Sequence, residues 1–347
     1  MRRRVPAICL ALLLTVPCGA QETTFDDKAV ALFASMGRAQ EILGARDEFI
    51  KQLEPLDRAA RMGVGGDVSE EEFLRFVRES ALAWTDVEKA SVRAAIDEIR
   101  PTLSEFALGL PDQIFLVKTT GREEQGSAYT RGNAIVIPLP LLRRGPSLAR
   151  LLAHELFHVF TRHRPEVRKD LYAVIGFTEC NDLELPDDLG HDKTTNPDAF
   201  RHDFFIRVSC GGTTTPAVLI PFAGHGPYAT LGGESIRQRP RMKLLAVEKT
   251  TGGNQYRPQR REGRPVLYDV EEASGFYEQV GRNTDYITHP EEILAENFSC
   301  LATGRKRLPS PRVLLKLQRA LYDLPRRKAS FPLPRTLEES AAGDQRP

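Results

Sequence analysis

A helical period of apolar residues that carries two histidines places the strongest constraint on the fold of this chain. After Gly145-Pro146 the apolar side chains recur at helical spacing, which predicts a helix over roughly 147–162. His154 and His158 lie four residues apart within it, so both imidazoles face the same side of the helix. Two imidazoles in this arrangement can bind one metal ion together, and Glu155 lies where its carboxylate can reach a water on that ion.

A catalytic zinc ion normally takes three protein ligands, so the His-Glu-x-x-His pattern needs one more. The metzincin arrangement would require a glycine at position 161 and a histidine at position 164, where the chain has Thr161 and Arg164. His163 is one position off, and on a continuing helix its side chain would point elsewhere. The third ligand is therefore expected further along the chain.

The best candidates for that ligand lie on a second predicted helix, which begins after His289-Pro290. Glu292 and Glu296 are four residues apart, so they share a face of this helix. One can ligate the metal while the other accepts a hydrogen bond from the second ring nitrogen of a ligand histidine. Small Ala295 would permit a close approach of the two helices. Without the histidine pair, the same glutamates would be interpreted as an exposed acidic first turn.

The two motifs together, His154-Glu155-Leu156-Phe157-His158 and Glu292-x-x-Ala295-Glu296, resemble those of the gluzincin metallopeptidases. They are most similar to the lethal-factor-like branch, whose second motif also reads Glu-x-x-Ala-Glu. The resemblance implies a zincin-like fold and a Zn²⁺ ion held by His154, His158 and Glu292, with Glu296 as a neighbour of the ligands. It covers only the two motif helices and at most the strand before the first.

The same branch places a tyrosine a few residues before the ligand glutamate, where the hydroxyl steadies the developing oxyanion. Tyr286, six residues ahead of Glu292, is the matching candidate. Tyr277 and His289 remain alternatives, because the spacing is approximate. No histidine follows Glu292 in the sequence, so a thermolysin-style downstream histidine is absent.

These residues predict a secreted zinc metallopeptidase that hydrolyses a peptide or protein substrate. Zinc lowers the pKa of its bound water toward ~7 and polarises the scissile carbonyl, and Glu155 passes the water's proton to the leaving amine. Family analogy also suggests that a peptide adds as an extra strand along Ala134–Ile137, which would be an edge of the sheet. Two alternatives stay open. One is an exported binding module with a structural zinc, which would have no need of Glu155, and the other is a zinc hydrolase of a non-peptide amide.

The first twenty residues have the organisation of a secretory signal peptide. Met1-Arg2-Arg3-Arg4 is followed by a short apolar run, Val5–Val16, and small residues before Gln21 allow cleavage there. No run in the chain approaches the roughly 18 apolar residues that a membrane-spanning helix needs. A secreted or periplasmic location is expected. A lipoprotein anchored at Cys18 is less favoured, because Pro17 precedes that cysteine.

The charge balance of the mature chain argues against nucleic acid as a partner. Cleavage removes three of the 48 lysines and arginines and none of the 47 acidic residues, which leaves a net charge near −2. Such a balance gives no reason to expect nucleic acid or an acidic membrane surface. The sequence does not determine the oligomeric state.

The mature chain is expected to be an α+β protein. Residues 21–110 are predicted to be a helical region, with capping boxes at Ser69 and Thr85 and with Pro101 closing the second helix. Residues 111–331 would form the catalytic domain, and residues 332–347 a loose polar tail. The sheet of the catalytic domain would include strands at 114–117 and 134–137, and its later helices would lie at about 290–302 and 311–323.

A β-rich insertion is predicted inside that domain, at about 165–270. Its strand-like runs are 204–208, 217–222, 244–247 and 266–270. A polar stretch from Asp187 to Asp198 could bind calcium. Its spacing does not match an EF-hand loop, so a solvated loop is the favoured interpretation.

The mature chain keeps three cysteines, Cys180, Cys210 and Cys300. Export makes a disulfide permissible, and three cysteines allow one bridge. Cys180–Cys210 is the expected pair, because both flank the same irregular segment, and Cys300 stays open as a partner. The cysteines before the zinc motif both lie in the signal, so none offers a zymogen switch. Whether residues 21–110 are a propeptide is left open.

Overall fold

The computed structural model describes residues 23–325 apart from 144, 146, 187–188, 190–194 and 223–240. Over these residues the chain is an α+β protein, as predicted, with helices and several sheets. Within this described part, none of the helices has the length and apolar character that a transmembrane span requires. The predicted signal peptide and the predicted polar tail lie outside the described residues.

The helices include those predicted at both motifs and after Ser310. In chain order they are α1 (Met36–Leu43), α2 (Glu48–Gln52), α3 (Pro55–Met62), α4 (Glu70–Glu79), α5 (Asp86–Leu103), α6 (Leu139–Leu142), α7 (Ser147–His163), α8 (Arg168–Ala173), α9 (Phe276–Val280), α10 (Pro290–Ala302) and α11 (Pro311–Tyr322). Both predicted capping boxes form, at the starts of α4 and α5. Pro101 does not end α5 as predicted. The helix runs on to Leu103, because a proline in the last turn removes only one backbone hydrogen bond and Leu103 is buried.

The first sheet contains both strands predicted before the histidine helix. Its members are β1 (Val30–Phe33), β2 (Ala81–Leu82), β3 (Gln113–Thr119), β4 (Tyr129–Arg131) and β5 (Ala134–Pro138). The strand order is β1-β3-β5-β4, and β2 also pairs with β3. β1, β3 and β5 are parallel, whereas β4 runs antiparallel to β5. The prediction that Ala134–Ile137 is an edge is therefore wrong, because the short strand β4 covers β5 and is itself the edge.

The N-terminal region contributes to this sheet as well as supplying helices. β1 pairs with β3 along its whole length, and β2 pairs with the end of the same strand. α5 packs on α7, and its residues Val92, Ile96 and Ile99 are fully buried in the main core. Removal of residues 21–110 would take two strands from the sheet and expose this apolar face to water. The region predicted to be helical is thus an integral part of the described fold.

The predicted β-rich insertion forms a second, antiparallel sheet. Its strands are β6 (Phe177–Glu179), β7 (Phe204–Cys210), β8 (Thr213–Phe222), β9 (Arg241–Lys249), β10 (Tyr256–Pro258) and β13 (Leu267–Asp269), and a separate hairpin is made by β11 (Arg260–Arg261) and β12 (Arg264–Pro265). The strand order is β10-β9-β8-β7-β6, with β13 also on β9. Each strand-like run predicted in this part of the chain lies in or overlaps one of these strands.

The expected disulfide Cys180–Cys210 does not form, and all three cysteines of the described chain are free thiols. The register of β6 and β7 explains why. Cys180 N–H donates to Asp203 O, so Cys180 lies beside the beginning of β7, whereas Cys210 is the last residue of that strand. Seven residues of extended chain separate these positions by about 23 Å, far beyond the reach of a disulfide.

Candidate metal centre

The rotation of α7 is fixed by its apolar residues. Leu152 and Leu156 are fully buried in the main core, between the sheet and the neighbouring helices. With these residues turned inward, His154 and His158 face α10, the helix against which α7 packs. The 3.6-residue period that predicted the helix therefore also determines where its histidines point.

The first turn of α10 is set by its capping residues. Pro290 occupies the first helical position, where its missing N–H has no helical partner to lose. The ring nitrogen Nδ1 of His289 accepts a hydrogen bond from Glu291 N–H at 3.1 Å. This start directs both Glu291 and Glu292 toward α7.

Three ligand atoms from the two helices form a nearly equilateral triangle. Nε2 of His154 lies 3.1 Å from Nε2 of His158. Oε2 of Glu292 lies 3.1 Å from the first nitrogen and 3.4 Å from the second. Two imidazole nitrogens and a carboxylate oxygen that converge in this way form a group that could hold a metal ion.

The charges of these side chains shift one another's pKa values. Burial by itself would lower the pKa of His154, but the carboxylates of Glu292 and Glu296 outweigh burial and raise that pKa to about 10. Burial would raise the pKa of Glu292, yet the charges of His158 and His154 hold it well below its ordinary value. Glu292 therefore remains an anion inside the protein, which is the state that binds a cation.

Glu291 contacts Nδ1 of His158, the ring nitrogen on the side away from the triangle. No pattern in the sequence predicted this contact. Oε1 of Glu291 lies 2.9 Å from Nδ1 of His158. The same carboxylate accepts hydrogen bonds from the hydroxyls of Thr161 and Tyr172. A carboxylate fixed by three donors fixes the imidazole in turn, so that Nε2 of His158 faces the other ligand atoms. Both Glu291 and Glu292 reach α7 because of the rotation of α10 about its own axis. The sequence alone does not define this rotation.

Substitution of Glu291 by glutamine is expected to weaken metal binding about 10–100-fold. The amide keeps the size of the side chain but cannot accept hydrogen bonds at both ends, so His158 loses its fixed orientation. The affinity can be measured by chelator competition with zinc as the probe ion. Tyr172→Phe removes only one of the three donors and should cost much less. Equal zinc affinity in the Glu291→Gln variant and the wild type would show that the carboxylate does not orient His158.

Glu296 lies one turn further along α10, beside the other histidine. Its Oε1 is 3.3 Å from Nδ1 of His154, an ion-pair contact without the alignment of a hydrogen bond. Its Oε2 accepts a hydrogen bond from Arg150, which lies one turn before His154 on α7. Oε2 of Glu292 thus lies with the two ring nitrogens of the triangle, whereas Glu296 lies beside the other ring nitrogen of His154.

Glu155 follows the first histidine and is almost completely buried, with 3 % of its surface exposed. Its Oε2 has no hydrogen-bond partner among the residues that the structure describes. Burial is the main influence on this carboxyl and, with the nearby carboxylate of Asp198, raises its pKa to about 8. A buried carboxylate oxygen without a donor is costly, so a water or a substrate group is the expected partner in this position.

Of the three candidates for an oxyanion donor, Tyr286 is the one placed beside the histidines. Its ring centroid lies 6.4 Å from that of His154, and the negative charge of Glu292, followed by burial, raises its pKa well above the ordinary value. Tyr277 instead makes an edge-to-face contact with Phe276, and the guanidinium of Arg282 lies over its ring. His289 is occupied as the cap of α10, and burial lowers its pKa to about 4.

A segment of the insertion also reaches the site. Asn196 Nδ2 donates to Oε1 of Glu292 at 2.6 Å, and Asp198 accepts hydrogen bonds from Thr130 of β4. The expectation of a solvated loop is wrong for Asp198, whose side chain is only 6 % exposed, and Asn196 is half-buried. The other acidic residues of that stretch, at 187, 188 and 192, lie outside the described residues. The sequence Asn196-Pro197-Asp198 is typical of a turn, but no local pattern indicates which part of the protein a turn will contact.

Comparisons of the chain with protein-family models, with curated proteins and with solved structures found no match.

Proposed function

We propose that the chain is a zinc-dependent hydrolase that cleaves amide bonds in peptides. The observation that carries the proposal is the triangle of atoms from His154, His158 and Glu292, beside Glu155, whose buried Oε2 has no hydrogen-bond partner among the described residues. A site that only stabilises the fold would have no need of an ionisable carboxylate beside the ligand atoms. Catalysis explains both features together, because the base must lie next to the ligands and remain accessible to the reacting water.

The donor set and its spacing favour zinc. Zinc takes imidazole nitrogens and carboxylate oxygens at about 2.0–2.2 Å in tetrahedral geometry, which separates neighbouring ligand atoms by about 3.3 Å. The three separations of 3.1, 3.1 and 3.4 Å match this value. Three protein ligands are also the usual number at catalytic zinc sites, since the fourth position is needed for water.

The proposed chemistry divides between the ion and the side chains. Zinc bound by His154, His158 and Glu292 would act as a Lewis acid on the scissile carbonyl and lower the pKa of water to about 7. Glu155 would remove a proton from the attacking water and deliver it to the leaving nitrogen. A bound cation would also lower the raised pKa of Glu155, so that the carboxylate is ionised and able to act as the base. Tyr286 would donate a hydrogen bond to the developing oxyanion.

A peptide is the substrate class that the surroundings of the site support best. β4 is the edge strand of the sheet beside α7, and Thr130 directs its N–H away from β5 to an acceptor outside the sheet. An extended peptide can pair with such an edge and place a backbone amide at the site. The arrangement of sheet, histidine helix and glutamate helix supports a zincin-like fold, and the predicted signal peptide supports an exported enzyme.

The test is an unbiased peptide library, incubated with the purified chain from residue 21 in the presence of zinc and analysed by mass spectrometry. We expect cleavage that a chelator abolishes and added zinc restores. Turnover of a non-peptide amide without cleavage of any peptide would support the alternative hydrolase. Zinc binding without any hydrolysis would leave only the exported zinc-binding module.

Zinc binding is expected to release about one or two protons per ion at pH 7. The pKa of His154 is about 10, above the ordinary 6.5, and that of His158 is also raised, mainly by the charge of Glu292 against the effect of burial. The stabilisation from these protonated contacts is full below pH 6.5 and is lost as the pH rises through about 10. Zinc requires neutral imidazoles, so its affinity should increase with pH over this window. Calorimetry in buffers of different ionisation enthalpy counts the protons, and a count of zero at pH 7 would contradict the raised pKa values.

A further inference from the structure

The outer edge of β4 is covered by residues 195–198, here called the crossing segment. Thr130 N–H donates to Oδ1 of Asp198 at 3.0 Å, and the Thr130 hydroxyl donates to the same oxygen at 2.5 Å. On an edge strand this N–H is the donor that an added strand would use. The carboxylate of Asp198 therefore takes the position that the carbonyl of an added peptide would occupy.

The crossing segment also enters the candidate metal centre. Asn196 donates to Glu292 at 2.6 Å. A carboxylate oxygen of Asp198 groups with ligand-type atoms of Glu155 and His158, all of them within 4.8 Å of one another. The strand of an extended substrate would run along β4 toward the base and the ligands, through this same space. The crossing segment and an extended substrate at the site therefore exclude each other.

The contacts that hold the crossing segment are polar. Arg61 of α3 donates to Thr195 O, and Thr195 N–H lies 3.3 Å from Oδ2 of Asp57. Arg162 of α7 pairs with Asp198 at 3.3 Å. The segment is half-buried and adds no side chain to the hydrophobic clusters of the described chain. Polar contacts of this kind can be exchanged for contacts with water at a modest net cost, unlike a buried apolar anchor.

We propose that the crossing segment is an autoinhibitory element that occupies the place of the substrate strand on β4. An extended peptide can bind only when residues 195–198 leave this position, so the structure described here is a self-blocked form. The inference rests on the proposed function, because it assigns the blocked space to a peptide. Displacement would free Thr130 N–H for the peptide backbone along β4.

The first experiment compares Asp198→Ala with a matched variant, Asp182→Ala, on the zinc-loaded chain. Asp182 lies in the same insertion and its Oδ1 likewise accepts a backbone N–H, that of His202 at 2.9 Å, so this hydrogen bond is made within the insertion rather than to β4. Two probes are titrated, a capped tripeptide hydroxamate and acetohydroxamate, which share the zinc-binding group but differ in the strand. Zinc content is measured in parallel.

Asp198→Ala is expected to bind the tripeptide hydroxamate about tenfold more tightly than the wild type. This is the increase in affinity expected if the crossing segment blocks the site in about 90 % of the wild-type molecules and the substitution releases it. Its affinity for acetohydroxamate and its zinc content should be unchanged. Asp182→Ala should match the wild type with both probes. Unchanged or weaker binding of the tripeptide probe to folded, zinc-loaded Asp198→Ala would overturn the proposal, as would an equal gain with acetohydroxamate.

A second measurement uses the wild type, so it does not depend on how a variant folds. The amides of Asp198 and Ala199 donate to Asn196 within the turn of the segment. Saturating tripeptide hydroxamate should speed hydrogen exchange at these amides, whereas acetohydroxamate should not. Unaltered exchange when the peptide probe is bound would refute displacement.

Neither readout depends on turnover, so the two proposals can fail separately. The expected probe effects without hydrolysis of any amide would refute the proposed function and keep the crossing segment as a gate for peptide binding. Peptide cleavage without the probe effects would refute the gate alone. A chain that binds no zinc would refute both.

Discussion

Replacement of Glu155 by glutamine is expected to remove most of the hydrolytic activity while the metal stays bound. Glutamine preserves the shape of the side chain but cannot take up a proton, and loss of a general base lowers kcat by about 10²–10⁴-fold. The three atoms of the ligand triangle belong to His154, His158 and Glu292, so the metal content should equal that of the wild type. Elemental analysis and kcat on the same preparations give both values.

Glu123 offers a matched control for this substitution. It is completely buried, and both of its carboxylate oxygens lack a hydrogen-bond partner among the described residues. It lies in the turn between β3 and β4 and contributes no atom to the ligand triangle. Glu123→Gln therefore makes the same change in the same kind of environment and should keep kcat. A Glu155→Gln variant that retained both the metal and the wild-type kcat would remove Glu155 from the mechanism.

Truncation of Glu292 to alanine is expected to weaken zinc binding by more than about 100-fold. Loss of a carboxylate behind a ligand typically costs 10–100-fold, and loss of a ligand itself should cost more. Glu292 is 2 % exposed and supplies the only carboxylate oxygen of the ligand triangle, so its removal leaves two histidines facing an incomplete site. The affinity is measured by chelator competition, and loss of activity should follow loss of the ion.

Glu296→Ala provides the comparison on the same helix face. Glu296 touches His154 from behind and pairs with Arg150, so its removal should reduce zinc affinity by only about tenfold. If Glu292→Ala bound zinc as tightly as the wild type, the assigned third ligand would be wrong. Glu296 would then be the next candidate, because Glu291 is already engaged by His158, Thr161 and Tyr172.

Local sequence patterns were sufficient to predict the two helices that carry the candidate site, α7 and α10. The apolar period of α7 fixed both its extent and the face on which His154 and His158 lie. For α10, the proline predicted where the helix begins, and the four-residue spacing of Glu292 and Glu296 predicted that both lie on one face. These features follow from the geometry of a single helix, in which the positions of neighbours depend only on their separation along the chain.

Contacts between distant segments were beyond the reach of the same reasoning. β4 has three residues, too few for a pattern, and its presence turned the expected edge at Ala134–Ile137 into an internal strand. The proposed Cys180–Cys210 bridge failed because strand register, rather than proximity in sequence, sets which residues are opposite one another.

The sequence by itself determined which face of α7 carries His154 and His158 and that Glu292 and Glu296 share a face of α10, because each of these relations lies within about one helical turn. Only the tertiary structure decided that Glu291 supports His158, that β1 belongs to the sheet beside the site, and that Asn196 and Asp198 cross it. Most of these contacts join segments that are separated by about 80 or more residues in the chain. The contact between Asp198 and Thr130 spans 68 residues. Such contacts form where the packing of the whole core brings segments together, and no local period records that packing.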